Sequence, residues 1–187
     1  MKINTGSHNG YLRFGFTTER SRKQAKDNDT IFTAKQIRHT RKYRHLTQKQ
    51  LAERSGVSEG YIRKIEAHEK EPTLPVLVSI AVALDVSLNS LWIDLNPYID
   101  PEFPRKQNSY VPEVGGRLID CAIKTAVQDK QCDGIQDVEE FVETELDISF
   151  GYYHEIKRGA KTPSFELLTT IAEKLGVSLD ELVFEEQ

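Results

Sequence analysis

The chain of 187 residues lacks the features of several common protein classes. Its only two cysteines, Cys121 and Cys132, have no histidines near them at ligand spacing, so we expect reduced cytosolic thiols, with a disulfide or a redox switch as the alternative. The five histidines form no H-x-x-x-H or Cys/His pattern, which argues against a metal site. No apolar run is long enough to span a membrane, and no stretch resembles a cleaved signal. The sequence therefore predicts a soluble, cytoplasmic protein without a cofactor.

Signatures of enzymes are also missing from the sequence. There is no Gly-rich phosphate loop, no nucleophile beside a positioned base and no metal-ligand spacing. Pairs such as His154 and Glu155 stand alone, and we expect them on the surface. We therefore expect no enzymatic activity.

The net charge of -4 hides an uneven distribution of charge along the chain. Residues 1–70 hold 16 Lys and Arg against 7 Asp and Glu, a balance of +9. Residues 71–187 hold 9 against 22, a balance of -13. A basic segment can neutralise phosphates and release counterions, whereas an acidic segment is repelled by the same backbone. The two halves are therefore predicted to meet different partners.

The sequence contains an internal repeat. Residues 57–92 align without a gap on residues 148–183 at a constant shift of 91. Identities spread over a few dozen residues, with most differences still apolar for apolar, predict two copies of one structural unit. The identical positions, numbered in the first copy, are Ser58, Gly60, Tyr61, Ile65, Lys70, Pro72, Leu77, Ile80, Ala81, Leu84, Val86, Ser87, Leu88 and Leu91.

Proline, glycine and charge mark the boundaries around the two copies. Residues 94–116 carry four prolines and the pair Gly115-Gly116, which predict an extended connector. The N-terminal segment is polar and basic and is predicted to be a flexible arm. The predicted organisation is an arm at 1–32, a first domain at 33–96, a linker at 97–116 and a second domain at 117–187.

Capping signals predict short helices in both copies. Thr33-x-x-Gln36 and Thr47-x-x-Gln50 have the form of capping boxes, in which a hydroxyl accepts from the N3 amide and the Gln side chain reaches back. Other candidate helix starts are Ser58, Thr73, Ser87, Ser164 and Ser178. No strand-like alternation competes with this pattern. We therefore expect an all-α fold of two small five-helix domains.

The second and third predicted helices of the first copy form a candidate DNA reader. Gly56 lies in the turn between them and can take the positive φ that such a turn needs, and Ala52 lets the helices cross closely. Two helices joined in this way can place the N-terminal end of the second in a major groove. The outer side of the helix Ser58–Ala67 presents Glu59, Gly60, Arg63 and Lys64.

Many positions of the first copy follow one recognisable order. They are Leu46, Thr47, Gln48, Leu51, Ala52, Gly56, Val57, Ser58, Ile62, Ile65, Glu66, Pro72, Leu77, Ile80, Ala81, Leu84, Val86 and Leu91. This order resembles the Cro/lambda-repressor-like helix-turn-helix family, also called XRE, over about residues 33–93. The resemblance implies a five-helix domain that binds operator DNA, usually as a dimer on two half-sites. One departure is Ala67-His68, where the family usually has glycine after the third helix.

The resemblance also suggests roles for individual residues. Gln48 either contacts phosphate and base edges or only favours the helix start. Arg63 and Lys64 either contact DNA or are solvated surface charges. Glu59 either accepts from cytosine or repels phosphate, and Tyr61 either contacts DNA or packs. The expected DNA-binding residues are Gln48, Glu59, Gly60, Tyr61, Arg63, Lys64 and Lys70, and Arg41 with Glu66 is the expected structural pair.

The second copy differs most in its counterpart of helix two. Asp137–Leu146 replaces Thr47–Ser55 with one extra residue, and the position of Gln48 falls on Val138 or Glu139. Its acidic side chains would oppose binding to phosphate. We therefore expect this copy to serve dimerisation or to bind another protein.

Two further observations bear on the second copy. Three aromatic residues lie at the start of its third helix, and they suit either a partner surface or core packing. Some DNA contact is the alternative, because basic residues lie on or after that helix. The aromatic residues are Phe150, Tyr152 and Tyr153, and the basic ones are His154, Lys157 and Arg158.

The function that we expect from the sequence is a sequence-specific transcription regulator, more often a repressor in this family, that reads the major groove with Ser58–Ala67. Its expected partners are double-stranded operator DNA and further copies of the chain, as a homodimer or higher oligomer. The alternative is a protein-interaction adaptor or antitoxin-like protein that binds a partner through residues 117–187.

Overall fold

The computed structural model describes residues 33–92, 109–128 and 137–185, and these ranges are helical without strands. The expected all-α fold of two helical helix-turn-helix units is confirmed, whereas the arm expected at 1–32 lies outside the described residues. The first copy contains α1 (33–43), α2 (Gln48–Ser55), α3 (Glu59–Glu66), α4 (Leu74–Leu84) and α5 (Leu88–Trp92). The second contains α6 (Pro112–Gln128), α7 (Val138–Thr144), α8 (Phe150–Lys157) and α9 (Phe165–Leu175). Among the described residues this copy has four helices instead of the expected five, because turns at 179–183 take the place of α5.

Side-chain caps fix the helix starts around the first helix-turn-helix. The capping box at Thr47 is confirmed, because the Gln50 amide donates to Thr47 Oγ1 at 3.1 Å and the Thr47 amide donates to Gln50 Oε1 at 2.8 Å. The capping box expected at Thr33 is wrong. Thr33 already lies within α1, and its buried hydroxyl has no hydrogen-bond partner among the described residues.

The linker predicted at 97–116 ends too late, because α6 already begins at Pro112 and contains Gly115 and Gly116. Glycine suits a helix position where another backbone comes too close for a Cβ. A Cβ on Gly116 would lie 2.1 Å from the carbonyl oxygen of Ile156 in α8. Gly116 therefore lets α6 and α8 pack closely, whereas a Cβ on Gly115 would meet the Tyr110 side chain. The sequence signal of a helix-breaking pair shows neither contact.

Left-handed backbone positions recur at the repeat shift of 91. The pairs, with their φ angles, are Gly56 (68°) with Asp147 (54°), His68 (62°) with Gly159 (73°), and Asp85 (55°) with Gly176 (66°). The loop after α3, where the family's glycine is missing, therefore keeps its form because His68 takes the left-handed position. For a residue with a Cβ, that conformation costs roughly 1–2 kcal/mol.

The buried apolar side chains of both copies belong to one continuous core. At the place where the copies meet, α5 packs with the turns at 179–183. Their side chains Leu88, Leu91, Leu179, Leu182 and Val183 are at most 1% exposed. The two copies are therefore joined by packing as well as by the chain. None of the helices in the described ranges is both long and apolar enough to cross a membrane.

Candidate nucleic-acid interface

A buried ion pair holds α3 against the rest of the first copy. Arg41 on α1 donates to both carboxylate oxygens of Glu66, from Nε at 2.6 Å and from Nη2 at 2.8 Å, and Nη1 donates to the Leu46 carbonyl at 2.7 Å. The hydrogen bond to Glu66 raises the pKa of Arg41. Because Leu46 precedes α2, this one guanidinium fixes the relative positions of α1, α2 and the end of α3.

Gln48 belongs to the same network. Its Nε2 donates to Glu66 Oε2 at 2.9 Å, and the side chain is half-buried at the first position of α2. One N–H of the amide is therefore committed to the ion pair, which leaves the second N–H and Oε1 for a phosphate or base edge. The structure places Gln48 as a support of α3 as well as an expected DNA contact.

A concavity opens beside the N-terminal half of α3. It has a volume of about 520 Å³ and is lined by Ser58, Gly60, Tyr61, Lys64 and Lys70, and we call it the α3 concavity. Ser58 caps α3, because its Oγ accepts from the Tyr61 amide at 3.2 Å. Gly60 leaves the surface open, since a Cβ there would meet nothing within 4 Å. Four of the seven expected DNA-binding residues thus lie together in this concavity.

Tyr61 and Lys70 shape one wall of the α3 concavity. The Lys70 ammonium lies over the Tyr61 ring, 5.4 Å from its centroid, and the Tyr61 hydroxyl donates to the Glu71 carbonyl at 3.3 Å. The ring therefore serves local packing, which is one of the two expectations for it. Lys64 and Lys70 make no ion pair within the described part of the chain, so the concavity offers two uncompensated positive charges to an anion.

The expected residues Glu59 and Arg63 lie outside the concavity on the exposed side of α3. Their side chains approach each other at 3.7 Å, one helical turn apart, and are 46% and 66% exposed. A pair this exposed contributes little to stability and exchanges readily for another partner. Arg63 is therefore accessible to a phosphate, which would replace Glu59 as the partner of its guanidinium.

The second copy has counterparts of the residues that line the α3 concavity, and one charge among them is reversed. At the shift of 91 these counterparts are Ser149, Gly151, Tyr152, Glu155 and Lys161. Lys161 again lies 5.4 Å from the ring centroid of its tyrosine, but it also pairs with Glu155 at 2.7 Å. The hydrogen bond between them lowers the pKa of Glu155 and raises that of Lys161. Where the first copy presents two lysines, the second therefore presents an internal ion pair.

The ion pair that fixes the third helix is also present in the second copy, with its charges exchanged. Lys157, at the position of Glu66, lies 3.0 Å from Asp120 Oδ1, and Lys124 donates to Oδ2 at 2.8 Å. The Tyr153 hydroxyl also donates to Asp120. Burial raises the pKa of Asp120, but these hydrogen bonds outweigh it and the pKa is lowered. The ion pair therefore keeps its structural role although the acid and the base have exchanged places. The gap-free alignment covers only residues 148–183 of the second copy, so it does not include Asp120 in α6.

The surface of α7 is unsuited to a phosphate backbone. The N-caps align, Thr47 before α2 and Asp137 before α7, so Val138 stands at the position of Gln48. The extra residue falls after α7, before the left-handed Asp147. Over the described residues the first copy holds 10 Lys and Arg against 6 Asp and Glu, and the second holds 6 against 14. The balances are +4 and -8, so only the first copy has the charge of a DNA-binding surface.

The family of the chain follows from a comparison with protein-family models. The model described as "Helix-turn-helix" matches residues 37–91 and residues 139–182, which together are more than half of the chain. The chain belongs to the Cro/lambda-repressor-like (XRE) helix-turn-helix family. The first matched segment contains α2 and α3, and the second contains α8 and all of α7 except Val138. The resemblance found in the first copy therefore extends to the second.

Curated relatives match a shorter stretch. An uncharacterized HTH-type transcriptional regulator of Mycobacterium tuberculosis strain H37Rv, and the same kind of protein from strain CDC 1551 / Oshkosh, are each 44% identical over 57 residues, 30% of this chain and 41% of theirs. The control protein C.SmaI of Serratia marcescens is 40% identical over 58 residues, 31% of this chain and 69% of its own. The chain thus spans about 41% of the length of the mycobacterial relatives. No solved structure matches the chain significantly.

Proposed function

We propose that the chain is a sequence-specific DNA-binding transcription regulator that reads a major groove with α3 of its first copy. The observation that carries this proposal is the α3 concavity, where Lys64 and Lys70 lie beside α3 without an ion pair to any described residue. The names of the relatives, HTH-type transcriptional regulator and control protein, support it.

The chemistry of the concavity suits a DNA strand at the edge of a groove. The two lysines neutralise phosphates or reach guanine acceptors, and their counterion release supplies affinity that falls with salt. Gly60 lets the backbone of the DNA approach α3 without a side chain in the way. The positive end of the α3 dipole adds to the attraction for phosphate. In this proposal Gln48 orients α3 through Glu66 and contacts the DNA with the rest of its amide.

Repression is the mode of regulation that we propose, because a domain that occupies an operator excludes other proteins from the same DNA. The homodimer expected from the family resemblance stays a prediction of the sequence. A protein partner for residues 117–187 also stays a prediction, and the acidic surface of α7 is the feature that would favour a basic partner.

The proposal is tested by selecting bound sequences from a random DNA pool and measuring affinity for the selected operator in a salt titration. We expect the logarithm of the binding constant to fall linearly and steeply with the logarithm of salt concentration. Lys64→Ala and Gln48→Ala should weaken operator binding, by roughly 1–3 kcal/mol for a base-reading contact. Lys174→Ala is the control, since that lysine pairs with Glu145 in the second copy.

The outcomes separate the two functions. An operator whose affinity is unchanged in both point variants would show that the contacts lie elsewhere on the protein. No selected sequence and no salt dependence would instead favour the adaptor, and a pull-down with residues 117–187 left in place would then be the next measurement. Urea unfolding of each variant checks that the fold is intact, which matters for Gln48 because its amide also supports Glu66.

A further inference from the structure

The two copies are joined by buried hydrogen bonds that are reciprocal. The Asp180 carboxylate accepts from the Leu88 amide at 2.9 Å and from the Asn89 amide at 3.4 Å, at the start of α5. In the other direction, Asn89 Oδ1 accepts from the Leu179 amide at 3.1 Å. Each copy therefore caps the last segment of the other, α5 in the first copy and the turns at 179–183 in the second.

These contacts have the pattern of a symmetric dimer. At the repeat shift of 91, Leu88 corresponds to Leu179 and Asn89 corresponds to Asp180. Asn89 thus contacts Leu179, which is the counterpart of Leu88. In the same way Asp180, the counterpart of Asn89, contacts Leu88. In a two-fold interface residue i contacts j of the partner and j contacts i, and that relation holds here between two halves of one chain.

A second feature also pairs equivalent segments of the two copies. A cleft of about 660 Å³ between the copies is walled by residues 71–75 on one side and by residues 162–166 on the other, among others. These two segments are counterparts at the shift of 91. They follow α3 and α8, so the loops behind the two reading-helix positions face each other across the cleft. Hydrogen bonds and cleft independently indicate an approximate two-fold relation between the copies.

The residues at this interface also favour pairing of unlike copies. Asp180 is completely buried, and Asn89 is 7% exposed. Pairing a first copy with a second copy buries one carboxylate, which the backbone amides at the start of α5 satisfy. Pairing two second copies would bury two Asp180 carboxylates in one interface, and an additional buried charge is costly. The Asn and Asp at equivalent positions therefore favour the pairing that a single chain can make by itself.

We propose that one chain takes the place of a homodimer and binds its operator as a monomer. The first copy reads one half-site, and the second copy stands where the other subunit would stand without reading DNA. This inference rests on the proposed DNA binding of the first copy. It replaces the inverted repeat expected for a homodimer with an asymmetric operator that holds a single half-site.

The mass of the protein and the form of its operator test the proposal together. Sedimentation equilibrium of the full chain, free and with selected DNA, should give one chain of 21.4 kDa per operator. The selected sequences should contain one half-site without an inverted copy. Two chains on an inverted repeat would overturn the proposal and leave the DNA-binding function standing. A monomer that selects no sequence would remove the DNA-binding function, and the interface would still be tested by the variants below.

A swap across the pseudo-symmetric interface tests the pairing without DNA. Asn89→Asp alone should disrupt the pairing, because it places a second carboxylate beside Asp180. Asp180→Asn alone should have a smaller effect. Combining Asn89→Asp with Asp180→Asn should restore the pairing, because approximate symmetry makes the exchanged pair equivalent to the original one.

Hydrogen exchange at the amides of Leu88 and Leu179, together with urea unfolding, measures this pairing. Rescue in the double variant to within a few-fold of the original protection supports the proposal. Additive losses would overturn it, because an ordinary cap without a symmetric counterpart gains nothing from the second substitution. If Asn89→Asp fails to fold alone, the amide protection of the double variant is compared with that of Asp180→Asn. Protection in the double variant at least equal to that of Asp180→Asn supports the proposal, and a further loss overturns it.

Discussion

The two copies of the helix-turn-helix have similar backbones and differ most in the charges of their side chains. In the first copy Lys64 and Lys70 share a concavity with Tyr61, whereas in the second Glu155 pairs with Lys161 beside Tyr152. Behind the third helix, Arg41 with Glu66 becomes Asp120 with Lys157. The structural pair tolerates reversal because both partners changed. The residues of the α3 concavity differ, because Lys64 corresponds to an acid and Lys70 to another lysine. Two positive charges that attract an anion are thereby replaced by a neutral ion pair.

The largest effect should come from breaking the structural pair of the first copy. Arg41→Ala leaves the Glu66 carboxylate buried without its bidentate partner, and we expect a loss of about 3–5 kcal/mol in the free energy of unfolding. Urea denaturation measures it. The double variant Arg41→Asp with Glu66→Lys imports the arrangement of the second copy and should recover part of the loss. A loss below about 1 kcal/mol for Arg41→Ala, the value of an exposed pair, would contradict this role.

The next effect concerns how closely the first helix of each copy packs on the third. Four residues before the paired charge, the first copy has Ile37 and the second has Gly116. Gly116→Ala would place its Cβ 2.1 Å from the Ile156 carbonyl oxygen, so we expect a loss of about 1–3 kcal/mol from overpacking. Gly151→Ala is the matched control, since its Cβ meets nothing within 4 Å. Equal stabilities of the two variants would sink the explanation.

A single substitution should make the first copy resemble the second on its surface. Lys64→Glu imports the charge of Glu155 and would form an ion pair with Lys70 in place of a phosphate contact. We expect operator affinity to fall by roughly 10- to 100-fold at constant salt. Lys42→Glu makes the same change of charge on α1, outside the concavity, and should lower affinity much less. Similar losses in both variants would mean that only overall charge matters.

The reciprocal substitution should give the second copy part of the reading surface. Glu155→Lys releases Lys161 and adds a second cation beside Tyr152, at the position that Lys64 holds in the first copy. We expect a few-fold increase in affinity for DNA and a salt slope steeper by about one for each additional phosphate that the protein neutralises. Glu173→Lys, on α9, provides the control for charge alone. An unchanged salt slope would show that the acidic surface of α7 keeps this copy away from DNA by itself.

The smallest effect concerns the loop behind α3. His68 adopts φ of 62°, where the second copy has Gly159. His68→Gly should raise the free energy of unfolding by about 0.5–1 kcal/mol, because relief of strain exceeds the entropy that glycine adds to the unfolded chain. Ala67→Gly, at an ordinary φ of -88°, should instead lower it. Thermal unfolding distinguishes the two signs.

Local signals in the sequence were sufficient to predict the starts of α2 and α3. Thr47 and Ser58 cap their helices by hydrogen bonds to residues three positions away, and such bonds depend on neighbours in the sequence. The reach of Gln48 to Glu66 and the packing of Gly116 on Ile156 depend on how separate helices cross, which no short pattern encodes. The glycine pair was therefore mistaken for a linker.

The interface between the copies was visible in the sequence only in part. The repeat alignment places Asp180 opposite Asn89, a polar pair among apolar positions, and this could have indicated a shared role. The alignment does not show that each side chain caps the other copy. The repeat alignment at the shift of 91 does not include α6, so it gives no partner for Asp120. The exchange of charges depends on the packing of α6 on α8, which brings Asp120 to Lys157.

The covalent link between paired copies changes how a regulator would respond to its own abundance. Two separate subunits must first associate, so their occupancy of an operator rises with the square of concentration at low abundance. Copies that pair within one chain meet at a fixed effective concentration, and their pairing does not weaken on dilution. Occupancy would then rise in proportion to the number of molecules, from the first few in the cell. By pairing the two copies within one chain, the caps at Asn89 and Asp180 would make operator occupancy rise gradually with protein concentration instead of at a sharp threshold.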